Sequence, residues 1–329
     1  MAASSEYLLE PFRDSGEFTI YRARQLGSPI PLLVVAPSAE QPLPQSLRRL
    51  EHEYSLAVEL DSEWAAKPLA LTRHEGRTIL VLSDPGGAPL DHLLERDTKQ
   101  PLDLTRILRI AINLATALGY AHQRGLIHKD VKPENVLVDD AGQVWLTGFG
   151  IASQMPRERQ APAPPEMLPG TLAYISPEQT GRMNRSMDAR SDLYSFGVIL
   201  YRMLTDVLPF TAADALGWVH CHIARQPLPP ADRTAVPAPL SAIVMRLLAK
   251  NAEERYLTAA GLVADLRRCL AGLQLNGRID PFPLGTDDTS NRLLIAEKLY
   301  GREREIDTLL TAFDRVVRQG TTELVLVSG

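Results

Sequence analysis

The part of this chain that most restricts its fold is residues 128–135, which read HKDVKPEN. Three polar side chains, Asp130, Lys132 and Asn135, lie close together within it. The segment follows a predicted helix and precedes two short apolar stretches in residues 136–146, which the turn sequence DDAG separates. The pattern therefore predicts a polar loop that is followed by a hairpin of short strands.

The first hundred residues are predicted to form strands and turns around a single helix. Apolar runs at residues 18–24, 31–36 and 78–82 are rich in Ile, Leu, Val and aromatic residues and are bounded by turn residues. Residues 45–60 carry Leu, Tyr and Val at three- and four-residue steps, which is the period of an amphipathic helix. This region is therefore expected to be small and rich in β-structure.

From about residue 103 the helical period dominates. Asp103 is a predicted N-cap for a helix that Gly125 ends, and further amphipathic helices are predicted over residues 191–272. Residues 155–169 contain five prolines and are predicted to form a loop. A β-rich part followed by a helical part gives an α+β fold class.

Residues 128–135 resemble the catalytic loop of protein kinases, in which His-Arg-Asp is followed by an Asn five positions after the Asp. The resemblance implies that Asp130 accepts the proton of a substrate hydroxyl, that Lys132 steadies the transferred phosphate, and that Asn135 holds a magnesium ion. It also implies ATP and Mg²⁺ as cofactors.

Four further matches follow in the order that protein kinases use. Gly148, Phe149 and Gly150 stand where the family has Asp-Phe-Gly. The residues to which the resemblance gives structural roles are His128 in the loop, Glu178 of Ser-Pro-Glu, Asp192 beneath the loop, and Arg255 as the partner of Glu178. The resemblance covers roughly residues 6–272. It implies a two-lobed protein kinase fold, with a small β-rich lobe at 1–84 and a large helical lobe at 88–272.

The small lobe departs from the kinase pattern at the glycine-rich loop and at the strand lysine. The three glycine places fall on Arg13, Ser15 and Phe18, and the nearby Gly16 is out of register. Side chains at those places crowd the phosphates of a nucleotide. The chain has no lysine before Lys67, so the residue that grips the α- and β-phosphates is absent.

Glu53, in the predicted helix 45–60, has two interpretations. It matches the carboxylate that pairs with the strand lysine in kinases, or it is a solvated charge on the surface of a helix. The first interpretation leaves the carboxylate without its usual partner.

Two more departures affect the metal and the base of a nucleotide. Gly148 replaces the Asp that chelates Mg²⁺, and glycine has no side-chain oxygen. If Leu82 begins the hinge between the lobes, Leu82 and Ser83 are the predicted nucleotide-binding residues, and Pro85 takes the place of the N–H donor to the base. Binding of ATP and Mg²⁺ is therefore expected to be weak or absent.

These matches and losses leave two functions open. The first is a pseudokinase, a regulatory module of a bacterial signalling protein that relays a signal to domains further along the chain. The second is an active Ser/Thr protein kinase, which transfers the γ-phosphate of ATP to a protein hydroxyl with Asp130 as the base. Whether the chain is an enzyme depends on which of the two is right.

Residues 273–299 are predicted to be a linker, and residues 300–329 to begin another domain. A charged amphipathic stretch precedes ELVLVSG, a strand of the buried type that ends on Gly329. This order resembles the entry to a P-loop ATPase domain, cut before the Lys and Ser/Thr of its phosphate loop. The resemblance implies AAA-type ATPase and sensor histidine kinase domains, as in two-component systems. The expected partners are therefore downstream domains of the same chain, with a protein substrate or regulator.

Composition argues against several other classes. The chain carries 35 Lys and Arg against 40 Asp and Glu, a net charge of −5, so nucleic acid is not an expected partner. Its two cysteines, Cys221 and Cys269, are too few for a disulfide framework, and no apolar run has the length of a membrane span. We therefore expect a cytoplasmic protein that binds neither nucleic acid nor membrane.

Overall fold

The computed structural model describes residues 7–96, 102–154, 169–183 and 185–289, together with residues 308, 311 and 315. The chain divides into two compact units, Met1–Thr289 and Ser290–Gly329. The three described residues of the second unit are helical. The predicted strand before Gly329, and the predicted loop 155–169 except for Pro169, lie outside the described residues.

The first unit begins with a five-stranded antiparallel sheet in the order β1-β2-β3-β5-β4. The strands are β1 (Tyr7–Asp14), β2 (Phe18–Gln25), β3 (Pro31–Pro37), β4 (Pro68–His74) and β5 (Arg77–Ser83). The sequence predicted β2, β3 and β5. Strands β1 and β4 are the two edges of the sheet, and β1 has no fully buried residue, so it lacks a clear apolar pattern.

Helix α1 (Pro44–Ser55) packs against β4 and β5. The predicted helix over 45–60 was wrong at its end, because the helix stops at Ser55 and turns carry the chain onward. Leu56 and Leu60 continue the apolar spacing beyond the helix, since both are buried in the core of the helical lobe. Their burial comes from contacts with that lobe and not from helical structure.

The helical lobe carries a three-stranded sheet and seven helices within the described residues. The strands are β6 (Ala88–Pro89), β7 (Val136–Val138) and β8 (Val144–Leu146). The helices are α2 (Leu90–Arg96), α3 (Leu104–Gln123), α4 (Pro169–Leu172), α5 (Ala189–Thr205), α6 (Ala215–Ala224), α7 (Ala238–Leu247) and α8 (Ala259–Asn276). Helix α2 is a second helix in the first hundred residues, where the sequence predicted one. The two-lobed α+β fold is as predicted.

Helix α3 lies at the centre of this lobe and contacts α5, α8 and β8. It starts at its predicted cap, because Asp103 accepts a hydrogen bond from the Thr105 backbone N–H at 3.1 Å. Gly125 just beyond its end has a φ of 77°, the left-handed conformation that stops a helix. Among the described residues, no helix combines the length and the apolar character that crossing a bilayer requires.

Residues 277–289 belong to the first unit, although the sequence predicted a linker from residue 273. Helix α8 continues to Asn276, and the segment after it packs back on the helical lobe. The Asp288 carboxylate is buried and accepts hydrogen bonds from the backbone N–H groups of Leu257 at 2.7 Å and Thr258 at 3.0 Å. The start of the predicted linker is therefore packed structure, and the first unit ends at Thr289.

Candidate functional site

A cleft of about 420 Å³ lies between the sheet and the helical lobe. On the helical side it is lined by the loop that carries Asp130, Lys132 and Asn135, with Gly148 beside them. On the other side it is lined by the β1–β2 turn, by β2 and β3, and by α1. The fold thus brings the predicted catalytic residues to one wall of a cleft and the small lobe to the other.

The three predicted catalytic residues form one hydrogen-bonded cluster. The Asp130 Oδ2 atom lies 2.9 Å from Lys132 Nζ and accepts a hydrogen bond from Asn135 Nδ2 at 2.8 Å. Lys132 Nζ also donates to Thr171 Oγ1 at 3.0 Å. Asn135 is held in place by a single 3₁₀ turn that Pro133 begins, and the fixed φ of proline suits that position. This wall of the cleft can orient a hydroxyl group next to Asp130.

Asp192 fixes the loop from below, as the resemblance implied. Its buried carboxylate accepts hydrogen bonds from the backbone N–H groups of His128 and Lys129, both at 2.9 Å. Its Oδ2 atom also lies 2.9 Å from His122 Nε2. Burial by itself raises the pKa of Asp192, but the hydrogen bond and charge of His122 and the interactions with His128 outweigh it and lower the pKa. Asp192 is therefore an ionised acceptor at neutral pH.

His128 and Phe149 pack together beneath the same loop. Both side chains are buried, and their ring centroids lie 4.4 Å apart. The His128 Nε2 atom lies 2.9 Å from the Thr147 carbonyl oxygen, and the Asp130 backbone N–H donates to His128 Nδ1 at 3.2 Å. Burial lowers the pKa of His128, so the imidazole is neutral. The ring packs between the loop and Thr147, the residue that follows β8.

Glu178 and Arg255 form a buried, bidentate ion pair. Arg255 Nη1 donates to Glu178 Oε1 at 2.7 Å, and Nη2 donates to Oε2 at 3.0 Å. Ser191 adds a hydrogen bond to Glu178 Oε1 at 2.7 Å. Burial raises the pKa of Glu178, and the charge of Arg255 more than offsets this, so the pKa is lowered overall. Glu178 and Arg255 are therefore joined directly in the buried interior of the helical lobe.

Gly148 leaves no room for a side chain. Its φ is 79°, and a Cβ atom there would lie 2.9 Å from the side-chain atoms Cγ, Oδ1 and Nδ2 of Asn135. An aspartate at this position would require Asn135 to move. Gly150 lines the cleft next to α1.

No group of three or more His, Cys, Asp or Glu in the described part of the chain could hold a metal ion. Asn135 and Asp130 alone do not make a donor set that fits Mg²⁺.

The β1–β2 turn replaces the glycine-rich loop. The Ser15 backbone N–H donates to the Phe18 carbonyl at 2.9 Å, and the Gly16 N–H donates to Asp14 Oδ1 at 2.8 Å. The turn therefore binds its own carboxylate with an N–H that could otherwise approach a phosphate. From β1, the Arg13 guanidinium crosses the cleft and donates to the carbonyl oxygen of Glu134. This bridge between the lobes was not predicted from the sequence, because the two residues are far apart in the chain.

Val35 stands on β3 where it faces the cleft. Leu33 and Val35 both line the cleft, because alternate residues of a strand point to the same side. In kinases the strand lysine faces the cleft from this strand, so Val35 is the residue that takes its place. Residues 32–36 of β3 are apolar and buried throughout, so the sequence has no alternation that singles out Val35.

Glu53 of α1 is buried, with 5% of its surface exposed, so the alternative of a solvated charge is wrong. Burial raises the pKa of Glu53 to about 7, although backbone N–H groups of Phe149 and Gly148 act in the opposite direction. Its Oε1 atom finds no hydrogen-bond partner among the described residues. Glu53 thus has the position expected of the carboxylate that pairs with the strand lysine in kinases. This chain has no lysine on β3 to pair with it.

The two predicted nucleotide-binding residues differ in where they lie. Leu82 lines the cleft, and it packs in an apolar cluster with Leu33 and Leu137, against which Phe12 and Ile20 also pack. Leu33, Leu82 and Ile20 give this part of the cleft an apolar lining.

Ser83 is directed away from the cleft. Its N–H donates to the Lys67 carbonyl at 2.9 Å, and its Oγ atom accepts from the Lys67 N–H at 2.9 Å. Asp84, the next residue, is held by Arg22, whose Nε atom lies 3.1 Å from Asp84 Oδ2. Among the described residues that line the cleft, none belongs to residues 83–87. The hinge therefore offers a base few contacts.

Comparison with known proteins agrees with this geometry. Residues 38–265 match the protein kinase domain family. Over 172 residues the chain is 38% identical to the serine/threonine-protein kinase PknB of Mycobacterium tuberculosis (strain ATCC 25618 / H37Rv). The aligned region is 52% of this chain and 27% of that protein. It is 36% identical over 231 residues to PknB of Mycobacterium leprae, covering 69% of this chain and 35% of that protein.

A third relative is the serine/threonine-protein kinase PksC of Streptomyces coelicolor, 36% identical over 198 residues, which is 59% of this chain and 35% of that protein. The chain thus spans about a third or less of the length of these relatives. The family match begins at residue 38, after β3, so it leaves out the strands in which the phosphate contacts are replaced. On the family match and the arrangement of the helical lobe, the chain belongs to the protein kinase family.

Proposed function

We propose that this kinase-fold domain is a regulatory pseudokinase module that relays a signal through contacts with other domains of its own chain. The observation that carries the proposal is the pair of replacements on the cleft surface, Val35 for the strand lysine and Gly148 for the metal-binding aspartate. Both remove a charge that a nucleotide phosphate or its metal ion requires.

The size of the loss favours this proposal. A hydrogen bond to a charged group contributes ~1.5–3 kcal/mol, so losing the lysine and the aspartate together removes ~3–6 kcal/mol. That is roughly a factor of 10²–10⁴ in affinity or rate. A site that would bind ATP at micromolar concentration would need millimolar ATP or would not bind it.

The apolar cluster at the hinge end supports the same proposal. Leu33, Leu82 and Leu137 are each nearly inaccessible to solvent, and Phe12 packs against them. A base that entered here would contact aliphatic side chains, and none of residues 83–87 lines the cleft to offer it a hydrogen bond. Asn135 and Asp130 alone also make a poor donor set for Mg²⁺, which supports the same proposal.

An active Ser/Thr kinase is the second candidate, and the cluster on the helical wall favours it. Asp130 Oδ1 has no hydrogen-bond partner among the described residues and could accept the proton of a hydroxyl, while Lys132 and Asn135 hold Oδ2. If this candidate is right, the chain contributes Asp130 as base and Lys132 as the positive charge near the transferred group. The kinases named above are consistent with it.

Calorimetric titration of the 329-residue chain with ATP, with and without Mg²⁺, tests the proposal. We expect no saturable heat up to millimolar ATP and no transfer of labelled phosphate to the chain or to a generic protein substrate. Asp130→Asn is the control variant. If the unchanged chain transfers no phosphate, this substitution should make no difference to the measured transfer. Micromolar binding that needs Mg²⁺, with transfer that Asp130→Asn abolishes, would contradict the pseudokinase and establish the kinase.

A further inference from the structure

The segment after α8, residues 277–289, runs back along that helix, and we call it the strap. Gly277 has a φ of 66° and reverses the direction of the chain. Ile279 is buried in the core of the helical lobe, and Phe282 packs against the same core. The strap lies beyond residues 38–265, so the match to the protein kinase family does not account for it.

Asp288 anchors the strap to the start of α8. Its buried carboxylate accepts hydrogen bonds from the backbone N–H groups of Leu257 and Thr258, and from the Thr258 hydroxyl at 2.9 Å. Thr258 is the N-cap of α8, and its Oγ1 atom accepts from the Gly261 N–H at 3.0 Å. The Asp288 carboxylate lies at the positive end of the helix dipole, where a negative charge is favourable. The first turn of α8 therefore depends on a residue of the strap.

A second carboxylate joins the strap to the same place. Asp265 of α8 is buried, and its Oδ2 atom accepts hydrogen bonds from the Gly285 backbone N–H at 2.7 Å and from the Tyr256 hydroxyl at 2.6 Å. Arg246 of α7 lies over the Tyr256 ring, 4.3 Å from its centroid, and donates to the Leu284 carbonyl at 2.9 Å. Two carboxylates, one on the strap and one on α8, thus hold the strap to the residues just before α8.

Those residues adjoin Arg255, the buried partner of Glu178. Gln179, next to Glu178, donates from Nε2 to the Lys129 carbonyl oxygen at 2.7 Å, and Lys129 belongs to the loop 128–135. Hydrogen bonds and adjoining residues therefore connect the strap to the cleft loop without a gap. A buried polar group that loses its partner costs free energy, so a change at one contact favours a change at the next.

We propose that the strap couples the cleft to the part of the chain that follows it. The docked strap holds residues 255–258 and, through the Glu178–Arg255 pair, fixes the loop 128–135. When the strap is released, these segments lose partners and become more mobile. Coupling of this kind acts in both directions, so a change in the cleft also reaches the strap.

The chain passes from Thr289 directly into the second unit, Ser290–Gly329, so the Asp288 anchor is one residue away from that unit along the chain. The inference rests on the proposed function, because it names the route by which the module would relay its signal.

Hydrogen exchange of the 329-residue chain, followed peptide by peptide with mass spectrometry, tests the coupling in Asp288→Asn. This change keeps the size of the side chain and removes its charge. We expect exchange to be faster by roughly tenfold in residues 255–258, and by about threefold in residues 176–180 and 128–135, with no change in the small lobe. Asp287→Asn, at the exposed neighbouring position, is the matched control and should leave every segment unchanged.

Tyr256→Phe is a second, milder variant, which keeps the test decisive if Asp288→Asn does not fold. It removes only the hydroxyl group that donates to Asp265 and keeps the buried ring. The same segments should exchange faster, by about threefold before α8 and less in the cleft loop.

Faster exchange confined to the strap and residues 255–258 would overturn the inference, because the anchor would then be local. An equal increase in every peptide would also overturn it, since that reports overall stability alone. No nucleotide is present in these measurements. ATP binding would therefore contradict the proposed function without changing this result, and the coupling can fail while the pseudokinase assignment holds.

Discussion

The two walls of the cleft differ in what they retain. On the helical wall, Asp130, Lys132 and Asn135 remain hydrogen-bonded to one another and rest on the buried Asp192. On the small-lobe wall, Val35 lines the cleft on β3 and a compact turn replaces the glycine-rich loop. The helical wall rests on buried polar groups of the large lobe, whereas Val35 belongs to an apolar cluster of the small lobe. The comparison shows that this chain retains the scaffold of the helical wall while its small-lobe wall departs from the kinase sequence pattern.

The largest expected effect comes from the scaffold of the helical wall. Glu178→Ala would leave the Arg255 guanidinium buried without its partner, which is expected to lower the free energy of unfolding by ~3–5 kcal/mol. Urea unfolding followed by tryptophan fluorescence measures it. Asp280→Ala, which removes an exposed ion pair with Arg278, should cost less than ~0.5 kcal/mol. Equal, small losses in both variants would show that this pair does not hold the lobe.

The next effect concerns pH and the unpaired carboxylate of the small-lobe wall. The pKa of Glu53 is raised to about 7 in the folded chain, so between its ordinary value and 7 the folded state binds more protons than the unfolded state. The free energy of unfolding therefore falls as pH rises through that range, by roughly 3 kcal/mol.

Glu53→Gln should remove this dependence. Urea unfolding at several pH values gives the free energy of unfolding of the unchanged chain and of each variant. The quantity compared is the difference in this free energy between the variant and the unchanged chain. The difference should change with pH for Glu53→Gln and stay constant for the control Glu51→Gln, at an exposed position of the same helix. A constant difference for both variants would show that Glu53 is ionised in the folded chain at all these pH values.

A smaller effect tests the place where the two walls meet. Gly148→Ala should destabilise the chain by ~2 kcal/mol, because the positive φ disfavours a side chain and the new Cβ would press on Asn135. Gly277→Ala is the matched control, since Gly277 has a φ of 66° and a Cβ there would meet nothing within 4 Å. Thermal unfolding should show a smaller loss there, of ~1 kcal/mol. Equal losses would mean that Asn135 moves aside freely, and that an aspartate could fit.

The smallest effect concerns the bridge between the walls. Arg13→Ala removes the hydrogen bond to the Glu134 carbonyl and should cost about 1 kcal/mol. Hydrogen exchange should become faster in β1 and in residues 128–135 without a change elsewhere. Arg24→Ala, at an exposed position of β2, should change neither. Unchanged exchange in Arg13→Ala would show that the lobes stay together without this contact.

Much of the helical lobe could be predicted from the sequence, because its signals are local. Asp103 and Gly125 mark the two ends of α3, and the loop 128–135 lies between α3 and the β7–β8 hairpin as expected. The small lobe was harder to predict. Strand β1 has only half-buried and exposed residues, and Leu56 and Leu60 continued the apolar period of α1 into turns. Periodicity reports which residues are buried and not which structure buries them.

The sequence by itself determined the kinase fold and the losses at the glycine-rich loop, the strand lysine and Gly148, because each is a matter of residue type at a fixed spacing. Only the tertiary structure decided that Glu53 is buried, that Arg13 reaches Glu134, that Ser83 is directed toward Lys67, and that residues 277–289 pack on the helical lobe. These outcomes depend on contacts between segments that are distant in the chain. Burial and its effect on pKa arise from such contacts, and no local pattern of residues specifies them.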